Sequence, residues 1–272
     1  MPPSSPNPRR HSELDTDLAR AAALVAEADH AIALTGAGLS VESGIPPFRG
    51  PNGIWTRYGE PPMDGYQRFL RDPGKAWQER LNPSEEWVRV LGEAVRAAEP
   101  NAGHRALCEL ERRGRLASLI TQNIDDLHRR AGHSELLEIH GNHRLLRCIG
   151  CNQRFDPDAG LVDPEKLPPH CPHCGGLVKG DVVQFGEPIP HDVLKRCFEE
   201  VERADCMIVA GTSATVYPAA EFPFEVLRRG GSVIEINLDA SALTDASTVS
   251  LRGPGGEVLP RLAAAVLAET TR

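Results

Sequence analysis

Two pairs of cysteines in the middle of the chain could bind a metal. Cys148 and Cys151 form one Cys-x-x-Cys motif, Cys171 and Cys174 form another, and 19 residues separate them. This spacing is typical of four-cysteine zinc ribbons, in which two tight turns complete a tetrahedron of thiolates. Because four sulfurs would leave no coordination position for water or substrate, we predict a structural zinc ion. Free cysteines or a redox pair are the alternative.

A glycine-rich turn follows the first short apolar segment, Ala31–Thr35. Gly36 and Gly38 would let the backbone approach a pyrophosphate, and a helix beginning here would offer N–H donors. The third glycine of the dinucleotide-binding fingerprint is missing, since Val41 occupies that position. Arg49, in a loop rich in glycine and proline, is a candidate contact for an anion or a ribose. Alternatively, the turn binds no ligand and Arg49 is a solvated surface residue.

Polar side chains also follow a second apolar segment, Leu116–Thr121. Asn123 and Asp125 come soon after it, where they either line a ligand site or cap the helix that begins nearby. His140 ends a further short apolar stretch, and histidine titrates near neutral pH, which suits general-base catalysis. The chain has ten histidines, however, and most histidines in proteins take no part in chemistry.

Short apolar runs alternate with helical patterns along the chain, which indicates βαβ units and a mostly parallel sheet. In such sheets, ligands bind beyond the carboxyl ends of the strands. The predicted strands end at Thr35, Thr121, Ala210 and Asn237, so the turns that follow them should converge on one site. The predicted fold is therefore α/β, a Rossmann-like parallel sheet with insertions. Further predicted elements are helices over 18–28, 77–98 and 104–113, a long loop over 46–62 and a strand over 181–185.

Composition and charge narrow the possible functions. The 272 residues carry a net charge of -8, with 40% hydrophobic and 25% charged residues, as in ordinary globular proteins. Because proteins that hold nucleic acid by its phosphates are normally basic, we predict no direct binding of DNA or RNA. The chain contains neither an apolar run of membrane-spanning length nor a secretory signal, so we predict no membrane association and a cytoplasmic location. In that reducing compartment, Cys108, Cys197 and Cys206 should be buried core residues.

The order of these motifs resembles that of the sirtuin family, the NAD-dependent protein lysine deacylases. The resemblance extends from about Leu18 to the C-terminus. It rests on Gly36–Arg49, Gln122–Asp125, His140–Gly141, the two cysteine pairs, Phe185–Glu187, Gly211–Ser213 and Asn237.

The resemblance implies a role for each of these residues. NAD would be the co-substrate, His140 the general base, and Asn123 would orient water or the ribose hydroxyls. Acyl-lysine proteins would bind as extended peptides between Phe185–Glu187 and the turn at 215–218. The residues implied to bind NAD are Gly36, Ala37, Gly38, Ser40, Phe48, Arg49, Gln122, Asn123, Ile124, Asp125, Gly211, Thr212, Ser213, Asn237 and Val258.

The implied reaction transfers an acyl group, most simply acetyl, from lysine to ADP-ribose and releases nicotinamide. One position departs from the family, because Pro47 stands where sirtuin loops usually have aspartate. The loop becomes stiffer and loses a carboxylate, so we expect an effect on rate and acyl preference. Arg80 and Pro83 occupy the places of the tyrosine and arginine of sirtuins that favour succinyl or malonyl groups, which argues against such a preference.

The chain divides into four predicted parts. These are a disordered tail over 1–14, an insertion of helices and loop over 55–99, a zinc-binding module over 146–178, and an NAD-binding domain comprising 15–54, 100–145 and 179–272. Two other functions could use the same residues: a protein mono-ADP-ribosyltransferase, and a module that senses NAD or docks partners through the zinc ribbon without turnover. The fate of NAD distinguishes the three.

Overall fold

The computed structural model describes residues 8–50 and 52–269, with side chains described from residue 14 onwards. Of the tail predicted over 1–14, residues 1–7 lie outside this range. Residues 8–14 are not a tail but the first turns of a helix that continues to Glu27. No helix within the described residues is long and apolar enough to cross a membrane.

Nine strands and ten α-helices make up the described structure. The strands are β1 (Ala31–Thr35), β2 (Ser118–Thr121), β3 (Leu136–Glu138), β4 (Leu146–Cys148), β5 (Arg154–Phe155), β6 (Val178–Gly180), β7 (Cys206–Ala210), β8 (Ser232–Asn237) and β9 (Val249–Arg252). The helices are α1 (Pro8–Glu27), α2 (Ile54–Tyr58), α3 (Gly65–Arg71), α4 (Pro73–Leu81), α5 (Glu86–Ala97), α6 (Ala102–Arg112), α7 (Leu127–Ala131), α8 (His191–Arg203), α9 (Phe222–Arg228) and α10 (Gly255–Glu269). Short 3-10 helices span Ala37–Ser43 and Ala219–Glu221.

Six strands form a parallel sheet in the order β3-β2-β1-β7-β8-β9. The chain builds outward from β1 in one direction and from β7 in the other, so the order reverses between these two strands. In open parallel sheets this reversal opens a crevice at the carboxyl ends of the strands, where ligands bind. The predicted Rossmann-like sheet is confirmed, and it directs attention to the turns after β1 and β7.

Both faces of this sheet are covered by apolar layers. Along β1, Ala31 and Ala33 belong to the layer that α1, α6 and α10 complete, whereas Ile32 and Leu34 belong to the layer completed by α8 and α9. The alternation follows from the two-residue period of a strand, and burial of both faces is expected of parallel sheets. The uninterrupted apolar run in β1 is therefore explained.

The four cysteines lie at a smaller, antiparallel sheet in the order β5-β4-β6: Cys148 ends β4, and the other three lie in the connections beside the strands. Phe69 of α3 and Trp77 of α4 pack against this sheet and share a small apolar core with it. The indole N–H of Trp77 donates to the carbonyl oxygen of Val178 at 2.8 Å. Since β6 pairs with β4 as far as Gly180, this sheet continues two residues beyond the predicted boundary at 178.

Three predicted elements differ in the structure. The helix predicted over 77–98 is two helices, because Pro83 lies between α4 and α5 and disfavours helical geometry in the residue before it. The loop predicted over 46–62 contains α2. The strand predicted over 181–185 is irregular: the amides of Asp181 and Val183 donate to Leu145 and His140 in the preceding connection, not to a strand of the large sheet.

Candidate active site

The carboxyl ends of the central strands lie side by side, as predicted. Thr35 is in register with Thr121 on one side and with Ala210 on the other. Ala210 is in register with Ile236, the residue before Asn237. The four turns that follow these strands therefore meet at one edge of the sheet.

Gly36 and Gly38 allow two of these turns to pack backbone against backbone. A Cβ atom on either glycine would lie 2.8 Å from the carbonyl oxygen of Gly211. The amide of Gly38 donates to that same oxygen at 2.8 Å, and the amide of Gly36 donates to Ala210 at 3.0 Å. Gly211 itself has a φ of 65°, in the left-handed region that favours glycine. All three glycines are thus required by the contact between the turns after β1 and β7.

Asn123, Ser40 and Asp125 form a buried hydrogen-bonded group beside these turns. The side-chain amide of Asn123 donates to the Gly36 carbonyl at 3.0 Å and to the Ser40 hydroxyl at 3.1 Å. Ser40 donates to Asp125 at 2.6 Å, and the other carboxylate oxygen of Asp125 accepts from the amide of Leu127. Burial raises the pKa of Asp125, although the hydrogen bonds from Ser40 and Leu127 lower it. Asp125 therefore fixes Ser40 and also accepts from the first residue of α7, while its role in lining a ligand site stays a prediction.

A second group of polar side chains lies across the strand ends from Asn123. The Gln122 amide donates to the Thr212 hydroxyl at 3.0 Å, and the Asn237 amide donates to the Thr212 carbonyl at 2.9 Å. Asn237 also donates to Glu235, a fully buried carboxylate in β8 that accepts from Ser241, Thr244 and Ser250. These hydrogen bonds hold the Glu235 pKa below its usual range, despite its burial. Sequence reasoning missed Glu235, although a charged residue inside the apolar run of β8 was a visible signal.

His140 lies just beyond β3 and bonds the segment that carries Asn123. Its Nδ1 is 3.1 Å from the carbonyl oxygen of Gln122. Because a carbonyl oxygen can only accept, Nδ1 carries the hydrogen, and Nε2 of the neutral ring keeps its lone pair. Burial lowers the pKa of His140, while the bond to Gln122 raises it less. The ring is therefore neutral at pH 7, and its Nε2 can accept a proton.

The loop after the first turn forms an aromatic cluster. The ring of Trp55 lies 5.0 Å from that of Phe48 and 5.8 Å from that of Phe185, measured between centroids. The Arg49 guanidinium lies 4.7 Å from the centroid of the Trp55 ring, and it also pairs with Glu60 at 3.8 Å. The predicted residues Phe48 and Arg49 are thereby joined through Trp55 to the segment Phe185–Glu187.

The remaining predicted residues make fewer contacts with the polar groups at the strand ends. Ala37 and Ile124 are half-buried, and the Ile124 carbonyl accepts from the amide of His143 at 2.9 Å. Ser213 is exposed and bonds Thr215 through their hydroxyls at 2.8 Å. Val258 is buried in α10, within the apolar layer on the α1 side of the sheet.

Three buried histidines lie behind the strand ends. The ring of His128 is 4.7 Å from that of His104 and 5.2 Å from that of His133. His128 bonds the Thr35 hydroxyl at 2.9 Å, and that hydroxyl donates to Thr121. Burial lowers the pKa of His104 to about 3 and that of His128 well below its usual range; it also lowers that of His133, against the opposing effect of Glu111. All three rings are therefore neutral at pH 7.

The four cysteine sulfurs fit a tetrahedral metal site. Their sulfur atoms all lie within 4.8 Å of one another. The Sγ atoms of Cys148 and Cys174 are 3.5 Å apart, and those of Cys151 and Cys171 are 3.7 Å apart. A Zn–S bond of about 2.3 Å implies an edge of about 3.8 Å in a tetrahedron of sulfurs. The thiols are free of disulfides, so the donor set and its geometry suit a structural zinc ion.

Comparison with known proteins places the chain in a family. A profile of the Sir2 family matches residues 36–218. The chain is 48% identical over 240 residues to NAD-dependent protein deacylase 1 of Archaeoglobus fulgidus, covering 88% of this chain and 93% of that protein. It is 46% identical over 249 residues to the NAD-dependent protein deacylase of Thermococcus kodakarensis, covering 90% and 94%.

Solved structures agree with this assignment. A crystal structure of a Sir2 homolog–NAD complex superposes with a TM-score of 0.76 at 46% identity, covering 92% of this chain and 94% of that one. A Sir2–p53 peptide–NAD+ structure superposes with a TM-score of 0.70 at 32% identity, covering 92% and 96%.

The fold and the site together define an α/β protein with a ligand crevice at its strand ends and an inserted four-cysteine metal module. The chain belongs to the Sir2 family, the sirtuins.

Proposed function

We propose that this protein is an NAD-dependent protein lysine deacylase, with acetyl-lysine as its main substrate. The observation that carries the proposal is the state of His140. Its Nδ1–H donates to the Gln122 carbonyl oxygen, its ring is neutral, and no described residue forms a hydrogen bond with its Nε2. A neutral imidazole fixed next to the Gln122–Asp125 segment suits a general base that takes a proton from a ribose hydroxyl. The relatives named as NAD-dependent protein deacylases support the same reaction.

NAD would lie across the strand ends, where the four turns meet. The turns at Gly36–Gly38 and Gly211–Ser213 would meet the diphosphate, and Asn237 would hold the adenosine half, with Val258 near the adenine. Gln122, Asn123, Ile124 and Asp125 would line the nicotinamide and ribose pocket. Phe48 and Arg49 would cover the nicotinamide ribose, while Ser40 would support Asn123 from behind through their hydrogen bond of 3.1 Å.

The chemistry that NAD supplies is an acceptor ribose, to which the acyl group passes with the uptake of one water molecule as nicotinamide and free lysine are released. The amide oxygen of acyl-lysine is a poor nucleophile, so the site must hold it close to the reacting carbon. His140 Nε2 accepts the proton of the attacking ribose hydroxyl. Asn123, held by Gly36 and Ser40, orients the ribose hydroxyls or water.

The acyl-lysine partner would bind as an extended peptide between Phe185–Glu187 and Thr215–Pro218. Pairing of main chain with main chain gives affinity with little sequence selectivity. One solved relative is described as a complex with a p53 peptide, which supports a peptide substrate. The cytoplasmic location and the expected lack of nucleic-acid and membrane partners stay predictions from the sequence.

The experiment follows peptides that bear acetyl, longer fatty or succinyl lysine, incubated with NAD and analysed by mass spectrometry. We expect loss of the acyl mass, appearance of O-acyl-ADP-ribose, and the fastest turnover with acetyl. A gain of ADP-ribose mass on protein would instead establish the transferase. NAD binding with no turnover would leave a sensing or docking module.

Pro47 is tested in the same assay. Its carbonyl accepts from the amide of Ile54 at 2.8 Å, which helps to close the loop that carries Phe48 and Arg49. Pro47→Asp should retain this bond but add a carboxylate and loosen the backbone, so the ranking of acyl groups or the rate should change. Equal rates for both proteins on every peptide would exclude a role for Pro47 in acyl preference.

A further inference from the structure

The turn that carries His140 is clamped between two buried carboxylates. Asp181 accepts from the backbone amide of Asn142 at 2.9 Å, and Glu138 accepts from the Asn142 side chain at 2.6 Å. The Cβ position of Gly141 would lie 2.1 Å from the Asp181 carbonyl oxygen, so the backbone packs directly against that residue. The His140 carbonyl in turn accepts from Val183 at 2.9 Å. The position of the His140 turn therefore depends on where Glu138 and Asp181 are held.

Both carboxylates need cationic partners, because their side chains are only 3% and 1% exposed. Arg154 contacts both of them. Its guanidinium lies 3.1 Å from Glu138, and two of its nitrogens lie 2.9 and 3.2 Å from the two oxygens of Asp181. Arg129 pairs with Glu138 but not with Asp181, and Arg147 pairs with Asp181 but not with Glu138. Among the described cations, Arg154 alone bridges the two.

Arg154 comes from the four-cysteine module. It lies in β5, three residues after Cys151, and faces Arg147 directly across the antiparallel pair of β4 and β5. Like charges directly opposite each other destabilise a strand pair. The two arginines therefore repel each other, and no residue of these two strands neutralises their charges. Asp181, which lies outside the module, offsets this repulsion because it pairs with both arginines.

We propose that Arg154 is a positioning residue for the reaction: it fixes the His140 turn to the four-cysteine module by bridging Glu138 and Asp181. The catalytic meaning of this bridge rests on the proposed function, since His140 must be the general base. Arg154 touches neither the glycine turns nor Asn237, where NAD would bind. Its loss should therefore lower kcat while leaving the KM for NAD nearly unchanged.

The planar guanidinium is what allows one side chain to bond two carboxylates in fixed directions. A lysine would keep the charge and could hold one of them firmly. Displacement of a catalytic group by about 1 Å can cost about 100-fold in rate. We expect kcat to fall by about 10- to 100-fold in Arg154→Gln, and by a smaller factor in Arg154→Lys, which retains part of the function.

The test compares Arg154→Gln and Arg154→Lys with Arg113→Gln as the control. Arg113, the residue after α6, pairs with Glu109 of that helix, and both side chains are at least 40% exposed. Steady-state kinetics with NAD and an acetyl-lysine peptide give kcat and KM, and elemental analysis gives zinc per chain. In the two Arg154 variants we expect kcat to fall, more in Arg154→Gln than in Arg154→Lys, and the KM for NAD to change by less than about threefold. All variants should hold one zinc per chain, and Arg113→Gln should have wild-type kinetics.

Hydrogen exchange provides a readout that does not depend on activity. The amides of Asn142 and Val183 are bonded within the clamp, so peptides covering 139–145 and 182–184 should exchange faster in Arg154→Gln than in the wild type. Peptides covering β1 should not change. Unchanged kcat and exchange in Arg154→Gln would overturn the proposal, and so would a loss of kcat that merely follows a loss of zinc. A wild-type protein without turnover would instead refute the proposed function, and the exchange result would still decide the role of Arg154.

Discussion

The large parallel sheet and the four-cysteine module are held together by different interactions. The sheet lies between two apolar layers that contain most of the buried hydrophobic side chains. The core of the module has six buried members, Phe69, Trp77, Leu146, Cys148, Cys171 and Val178, and two of these belong to the four-cysteine cluster. Around them lie charges that are seldom buried, such as Lys179, which is 2% exposed and pairs with Glu187 at 3.0 Å.

This difference predicts opposite sensitivities. Apolar burial stabilises the sheet under a wide range of conditions, whereas the module depends on a metal and on ion pairs whose partners must remain charged. Burial lowers the pKa of Lys179 to about 8, although Glu187 opposes this shift. The turn that carries His140 is attached to both regions, since it follows a strand of the sheet and the two carboxylates that clamp it pair with Arg154 of the module.

Removal of the metal should have the largest effect. Binding of structural zinc is worth an apparent 10–16 kcal/mol, roughly, in small zinc domains. A chelator strong enough to remove zinc should therefore unfold β4–β6 and abolish turnover, while the large sheet stays folded. Hydrogen exchange should accelerate across 146–180 but not across 31–35 or 206–210. Full activity at less than one tenth of a zinc per chain would show that neither the module nor turnover depends on the metal.

Truncation in the core of the sheet should show the reverse pattern. Leu119 in β2 is fully buried within an apolar layer. Leu119→Ala should lower the free energy of unfolding by about 2–5 kcal/mol through lost burial and a cavity. Zinc content should not change. Leu81→Ala is the matched control, because Leu81 is 41% exposed, and urea unfolding of both variants measures the difference. Equal losses would mean that burial does not govern stability here.

Mild acid should destabilise the sheet side through its three buried histidines. Their pKa values are depressed in the folded protein, so the folded state favours the neutral rings and the unfolded state takes up protons first. The stability contributed by the neutral rings is complete above about pH 6.5 and is lost as the pH falls toward the folded values, about 3 for His104. For His104 the slope within this window is about 1.4 kcal/mol per pH unit. His128 and His133, whose pKa values are also lowered by burial, act in the same direction.

Urea unfolding at pH 7.5, 6.5 and 5.5 measures the acid effect, with zinc content followed in the same samples. His104→Asn should flatten the decline, because one of the protonation sites is removed. A decline that occurs only when zinc is released would assign the acid sensitivity to the module instead of to the histidines.

An exposed ion pair should matter least. Arg113, the residue after α6, pairs with Glu109 one turn earlier, and both side chains are exposed. Arg113→Gln should change the free energy of unfolding by no more than about 0.5 kcal/mol, since solvent screens such pairs. If urea unfolding showed a change in this free energy above about 1 kcal/mol, surface ion pairs would contribute more to stability than we expect.

Local sequence patterns predicted the parts of the molecule that depend on local rules. The apolar runs that end at Thr35, Ala210 and Asn237 are strands with those ends, and the cysteine spacing indicated the metal module. The break between α4 and α5 was readable from Pro83 but was missed. Contacts between distant segments could not be read in this way. Arg154, Glu138 and Asp181 have no special spacing, and only the fold brings them together.

The central claim is that His140 acts as the base on a ribose hydroxyl after nicotinamide has left. Exchange of labelled nicotinamide into NAD, measured beside deacylation in the wild type and in His140→Ala, tests it most directly. General-base catalysis is typically worth about 10²- to 10⁴-fold. We expect deacylation to fall by such a factor in His140→Ala while exchange in the presence of acyl peptide remains. Equal loss of both reactions, or deacylation that persists without the imidazole, would contradict it.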